Sequence, residues 1–385
     1  MTFAGALILA VGMGFGRFSF TGMYPLMVRE TVISVAGGSL AASVNYGGYL
    51  VGALVVSRID HRHAARLCQI AMVGTVVCLA ALSLHFGIAF VVAVRFLAGA
   101  MSAVTLIAAS IWLFHIIGYH DGAPILYAGV GLGIVVSAEL IAFGTAAGFG
   151  SAALWLCLAA VSTVLCALAW PSIRSRISRH VNEGEELSDP GLVEAPSLGP
   201  WTLVMAYGLA GFGYIVTATY LPLLVRGALQ HTDPVHIWAA FGLGATPSCF
   251  LWHWIHHRLG SRLAFILNLT IQAVGVALPI VVPTATFFLL SALLVGGTFM
   301  GTVTIVMPAA KRVSHLVKFN IMATLTAAYG VGQIVGPLMS NALFSHTHSF
   351  NQPLGVAAAA LVIAALTCAV SRPATRVSPL RSSAA

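Results

Sequence analysis

GFGRFSFTGMYPLMVR, residues 14–29, and GFGYIVTATYLPLLVR, residues 211–226, align without a gap. Gly14, Phe15, Gly16, Pro25, Leu26, Val28 and Arg29 each recur 197 positions later. Unrelated apolar helices share leucines by chance, but not glycine, proline and arginine in register. One loop further on, His61, Arg62, Arg66 and Leu67 recur as His257, Arg258, Arg262 and Leu263, shifted by 196. The chain is therefore an internal duplication, each copy opening on a long apolar segment.

Those segments set the class. Of 385 residues, 59% are hydrophobic and only 7% charged, against about 25% charged in soluble domains. So few charges cannot cover a water-soluble globule of this size, which excludes a soluble enzyme and a disordered chain. Crossing a bilayer as a helix takes about 20 apolar residues. Such stretches recur twelve times, at 3–28, 37–56, 67–86, 89–113, 123–145, 151–170, 201–225, 236–256, 263–283, 286–307, 319–345 and 354–371. The first is no secretory signal: it lacks a basic flank, is too long, and has Arg17 inside it. The six cysteines sit singly in apolar stretches with no CxxC pair, as small hydrophobes do, so neither a disulfide nor a metal site is indicated.

The basic residues orient the spans. With both termini cytoplasmic, the 2–3, 4–5, 6–7, 8–9 and 10–11 loops and the tail hold 14 of the 18 Lys and Arg; only Arg29 and Arg226 fall on the far side. The positive-inside rule reads this asymmetry as topology, and the formal charge of +8 then needs no nucleic-acid partner. Residues 171–200 break the apolar pattern with Arg174, Arg176, Arg179, Glu183, Glu185, Glu186, Asp189 and Glu194, and read as a cytoplasmic linker. The expected organisation is a six-helix bundle over 1–170, the linker 171–200, a second six-helix bundle over 201–372 and a cytoplasmic tail 373–385. Duplicated six-span halves are a mark of secondary transporters, whose sites lie near the midplane where the repeats meet.

The strings GRFSFTGMYPLM (Gly16–Met27), NYGGYLVGAL (Asn45–Leu54), RFLAGAMSA (Arg95–Ala103), YAGVGLGI (Tyr127–Ile134) and GQIVGPL (Gly332–Leu338) resemble the YbfB/YjiJ family of the major facilitator superfamily over nearly the whole chain. The resemblance implies an all-α membrane protein of two pseudo-symmetric six-helix bundles rocking about a central cavity lined by spans 1, 4, 7 and 10. Two departures stand out. Val56 follows Gly52 where the superfamily's loop motif after span 2 carries Asp, and His257 stands at the matching place after span 8. The glycine-rich stretch of span 5 resembles the antiporter motif without its proline. Arg95 and Gly99 match the superfamily's RxxxG motif, which implies a part for Arg95 in proton coupling.

A charge at the centre of a span costs about 2.5–3.5 kcal/mol on insertion scales. Three lie within spans: Arg17, Arg95 and Glu139. At 1.5 Å rise per residue, Arg17 sits roughly 2–3 Å, and Arg95 and Glu139 roughly 8–9 Å, outward of their span centres. All three are expected to face a water-filled cavity or one another, with Glu139 in reach of either arginine. Arg17 is the candidate anchor for an anion, since guanidinium grips carboxylate or phosphate as a fork; Thr21 and Tyr24 continue its face. The alternative for Arg17 is a structural pair with Glu139. Glu139, the one acid within a span, is the candidate proton-coupling residue beside the Arg95 that the resemblance implies, because burial raises and a nearby arginine lowers a carboxyl's affinity for protons. Asn45 with Tyr49 and Tyr329 with Gln333 stand at i, i+4 and can bond a ligand or a neighbouring helix; Tyr214 occupies the place of Arg17 in the second copy. The glycines Gly129, Gly131 and Gly133 read as close-approach points.

The expected function is a secondary active transporter, multi-pass in the inner or plasma membrane, moving a small anionic or amphipathic solute by alternating access with protons. It is expected to work as a monomer, without cofactor or metal. An efflux antiporter of the same fold, a non-transporting receptor and a histidine-box membrane oxidase (His253, His256 and His257, with His115 and His120) are the alternatives.

Overall fold

The computed structural model describes residues 1–119, 122–174, 197–228 and 234–371. Eleven helices among them are long and apolar enough to cross a membrane. In chain order they are α1 Thr2–Arg29, α2 Val35–Val56, α3 Ala64–Ala81, α4 Ile88–Phe114, α5 Ala123–Ala146 and α6 Ser151–Arg174. Then come α7 Pro200–Ala228, a 48-residue stretch Pro234–Val281, α10 Ala285–Val313, α11 Ile321–Thr347 and α12 Asn351–Val370.

A straight 48-residue helix would run about 72 Å, more than twice the roughly 30 Å hydrocarbon core. It breaks at Gly260, whose φ of 73° and ψ of 167° leave the helical region at little steric cost without a Cβ. Residues 234–259 and 261–281 are therefore two spans, α8 and α9, and each span expected from the sequence has its helix. The 8–9 loop reduces to this single kink. The linker also starts later than expected, since α6 runs on through Pro171 to Arg174. Residues 175–196 of the linker and the tail 373–385 lie outside the described residues.

Large apolar side chains are exposed along the helices, among them Leu132, Val136 and Phe143 on α5 and Ile363 and Leu366 on α12. That is the surface a helix presents to lipid, where no water satisfies a polar group.

The duplication is visible in the packing. A methyl group added at Gly48 would run into the Phe96 carbonyl, and one at Gly99 into the Asn45 carbonyl, so α2 and α4 touch backbone to backbone. In the second half Gly244 meets the Leu293 carbonyl and Gly296 the Phe241 carbonyl, and α8 and α10 touch in the same way. Those pairs are the first pairs shifted by 196 or 197 residues. Close approach through small residues is how helices associate where lipid removes the hydrophobic drive. Gly129 and Gly133 likewise press against Ala6 and Ala10 of α1, and Gly131 against Gly242 and Thr246 of α8, which makes them packing points.

Candidate functional site

Residues Ala10–Phe18 of α1 form a π-helix, a form that is rare and concentrates at functional sites. Gly12, Gly14 and Gly16 lie within it, and the wider turn carries Arg17 into the contact between the halves. Arg17 is 4% exposed. One terminal nitrogen donates to Gln333 Oε1 of α11 at 3.0 Å. The guanidinium carbon lies 4.2 Å from the ring centroid of Tyr49, 4.9 Å from Tyr46 and 5.3 Å from Phe18. Cation–π contacts of this kind contribute up to about 2 kcal/mol when desolvated. Arg17 Nε has no partner, and no carboxylate among the described residues lies within ion-pair distance of the group. A buried cation faced only by rings and a neutral amide has donors to spare for an anion.

Gln333 joins Arg17 to a second wall. Its amide nitrogen donates to the Tyr214 hydroxyl. Tyr214 stacks between Tyr329, at 5.7 Å, and Phe299, at 5.1 Å, and Tyr329 stacks on Tyr207 at 4.4 Å. Five of the residues singled out from sequence, Arg17, Tyr49, Tyr214, Tyr329 and Gln333, thus form one cluster. Tyr46, Phe18, Phe299 and Tyr207 were not picked out. Tyr46 had a signal, since it stands three residues before Tyr49 on the same helical face.

Arg95 takes a different position from the expected cavity-facing one. It is 2% exposed and donates to the carbonyls of Gly16 and Arg17, both at 3.2 Å, with Phe20 stacked 4.4 Å from its guanidinium. It clamps the end of the π-segment that presents Arg17. Asn45 donates to the Arg95 carbonyl at 2.7 Å, so it joins α2 to α4 and is not brought to the cluster.

Glu139 meets neither arginine. Its carboxylate is 3.0 Å from His236 Nδ1 of α8. It shares the face of α5 that exposes Leu132, Val136 and Phe143, because residues three and four apart line one face of a helix. The expected Arg–Glu pairing is corrected to a Glu–His contact bridging the halves at their rim.

Neither Thr21 nor Tyr24 lines the cluster. Thr21 donates across the halves to the Ala218 carbonyl at 2.8 Å, whereas Tyr24 donates to the Val35 carbonyl of its own half. The hydroxyl of Tyr220 lies 2.7 Å from Ser39 Oγ and 3.0 Å from the Pro337 carbonyl. Ser43 donates to the Ile334 carbonyl, and Arg226 to the Pro25 carbonyl. These bonds between the halves gather from the midplane to the end that carries Arg29. Toward the opposite end a cavity of about 360 Å³ separates α4 and α5 from α8 and α10.

Against known proteins, the family described as "Uncharacterised MFS-type transporter YbfB" matches residues 9–369. The chain belongs to this family. Its fold is that of the major facilitator transporters, and it is a multi-pass membrane protein. Family and fold are those of transporters rather than enzymes, which leaves the histidine-box oxidase without support; of that box, the side chain of His115 and all of His120 lie outside the described residues. No curated protein matches the sequence. Among solved structures, a bacterial homolog of the human lysosomal transporter Spinster, inward-facing and occupied, superposes with a TM-score of 0.66 at 14% identity over 95% of both chains. Its inward-facing, unoccupied form gives 0.67 at 13% over 95% of both. A mutant of the nucleoside transporter NupG gives 0.69 at 13% over 96% of this chain and 98% of that one. At such identities the likeness is one of fold.

Proposed function

We propose that this YbfB-family protein is a secondary active transporter that moves a small organic anion by alternating access. The observation that carries the reading is Arg17: a buried cation at the contact between the halves, with an unpartnered Nε and a neutral amide where an anion would sit. An intramembrane charge of this kind is a functional site by default. The bonds gathered at the Arg29 end and the cavity toward the other end correspond to one closed and one open side. Positive-inside topology makes the open side cytoplasmic and puts both termini there, in the inner or plasma membrane. Both walls of the site come from one chain, so a monomer suffices.

Coupling to protons is assigned to Glu139, now with His236 as its partner. The two groups stand on opposite halves and touch only while the halves are closed at that rim, which ties their contact to conformation. Arg95 acts on Arg17 through the π-segment it clamps, as a positioning residue.

Purified protein in liposomes, driven by a pH gradient and assayed with radiolabelled organic acids, tests the reading. Arg17→Ala is expected to abolish both binding and flux while the protein still inserts. Undiminished flux in that variant overturns the anchor; binding without flux in the wild type identifies a receptor.

A further inference from the structure

Resting on the reading of Arg17 as an anion anchor, we infer that the solute is a monoanion with a flat, apolar body, an aromatic carboxylate in its simplest form, and that Gln333 is the group its carboxylate displaces. Three observations carry this.

The first is the count of free charge. Arg95 is committed to the carbonyls of Gly16 and Arg17 and to the ring of Phe20, and Arg226 sits at the rim on the Pro25 carbonyl. Arg95 Nε is also without a partner, but its terminal nitrogens are turned onto the backbone of α1; among the described residues Arg17 is the one guanidinium at the contact between the halves that is set against rings and a neutral amide. One cation matches one negative charge.

The second is the wall around it. Gln333 Oε1 occupies the place an anion oxygen would take, and it is a neutral dipole that a true charge can outcompete. A solute entering there meets ring faces: Tyr46 and Tyr49 beside the cation, then Tyr214, Tyr329 and Phe299 behind Gln333. The Tyr46 hydroxyl is already 3.4 Å from Thr219 Oγ1, and that of Tyr214 bonded to Gln333. A polyhydroxylated solute would leave hydroxyls unpaired against rings, a heavy penalty in a buried site. A flat ring stacks there instead.

The third is the way in. The cavity of about 360 Å³ is lined by Phe114, Tyr127, His253, Met300, Met307 and Pro308 among others, and among the described residues no Lys, Arg, Asp or Glu belongs to its lining. Its volume is that of a small-ligand pocket. Thioether and aromatic walls suit an aromatic body, and Met300 directly follows Phe299, which stacks on Tyr214.

The test is binding to the purified full-length protein, by calorimetry, of four probes: 2-naphthoate, uncharged 2-naphthol, dianionic phthalate and hydroxylated glycerol phosphate. 2-Naphthoate is expected to bind at least tenfold tighter than the other three. Arg17→Ala is expected to lose it. Gln333→Glu, which supplies a permanent internal carboxylate, is expected to weaken it at least 30-fold. Gln333→Leu, which removes the competing oxygen, is expected to keep it within threefold of wild type or tighten it, at a melting temperature that shows the variant is folded. Stronger, Arg17-dependent binding of phthalate or glycerol phosphate overturns the solute class and leaves the anchor standing. 2-Naphthoate binding unchanged in Arg17→Ala overturns the anchor itself. Absence of 2-naphthoate binding to wild type overturns the class. Loss of 2-naphthoate in folded Gln333→Leu makes Gln333 a ligand contact and overturns displacement.

Discussion

α1 and α7 are two copies of one segment that have taken different jobs. Both open on Gly-Phe-Gly and share a proline and a closing arginine, and they touch through Thr21 and Ala218, which are equivalent positions of the repeat. Yet α1 carries a nine-residue π-segment with Arg17 inside it, whereas α7 is an α-helix from Pro200 to Ala228 with Tyr214 at the corresponding place. The divergence extends beyond this pair. Asn45 corresponds to Phe241, and Arg95 to Ala292. Positions kept in both copies include those where backbones touch, such as Gly99 and Gly296. The changed ones hold the cation and its clamp on one side, and rings on the other. Two guanidiniums facing each other in a medium of low dielectric would repel strongly. Symmetry serves the scaffold, and in the proposed reading its loss at a few places makes a site for a single anion.

Making α1 like α7 is the most direct way to break that comparison. Arg17→Tyr is expected to lower affinity for an organic anion at least 100-fold by calorimetry, without lowering the melting temperature, because a buried charge has been removed. Next in size is Arg95→Leu, which turns the clamp into the apolar kind of residue found in the second copy. Losing two charge-assisted bonds to backbone costs about 3 kcal/mol; thermal melting is expected to fall by several degrees and anion binding by about tenfold as the π-segment relaxes. A melting curve like that of wild type would remove the positioning role.

Tyr220→Phe sharpens the contrast between the closed and open ends. It deletes the hydroxyl between Ser39 and Pro337, worth about 1 kcal/mol or roughly fivefold in the population closed at that end. Spin-label distances between Ala36 and His346, read by electron–electron resonance, should shift toward the longer component. The smallest effect on binding belongs to Glu139→Gln, expected to change affinity less than twofold while flattening the pH dependence of flux. Pairs at the rim hold the halves and do not hold the solute. Unchanged pH dependence would dismiss this residue from coupling.

Much of the cluster was legible because a charge inside a span is hard to miss and because the repeat pointed from Arg17 to Tyr214. Gln333 and Tyr329 were visible as an i, i+4 polar pair on an apolar helix. What failed was rotation. Glu139 was expected to turn toward an arginine, but it lies on the face of α5 that also carries Leu132, Val136 and Phe143, and its partner comes from α8 in the other half. Phe18, Phe299 and Tyr207 were hidden for a plainer reason: among 20 Phe and 9 Tyr, nothing in one dimension marks those that surround a cation.

The amino-acid order by itself determined the apolar spans and their duplication, and it carries the reading of their direction across the bilayer. Hydropathy, register and the placing of lysine and arginine act locally or through the solvent, which needs no knowledge of neighbours. Only the tertiary structure decided that Arg17 answers to an amide and three rings rather than to an acid, that Arg95 turns back onto the backbone, and that Thr21 bonds across to the other half. Those outcomes depend on which helix stands opposite and how far each is rotated about its axis, and packing across some 200 to 300 residues of sequence separation sets both.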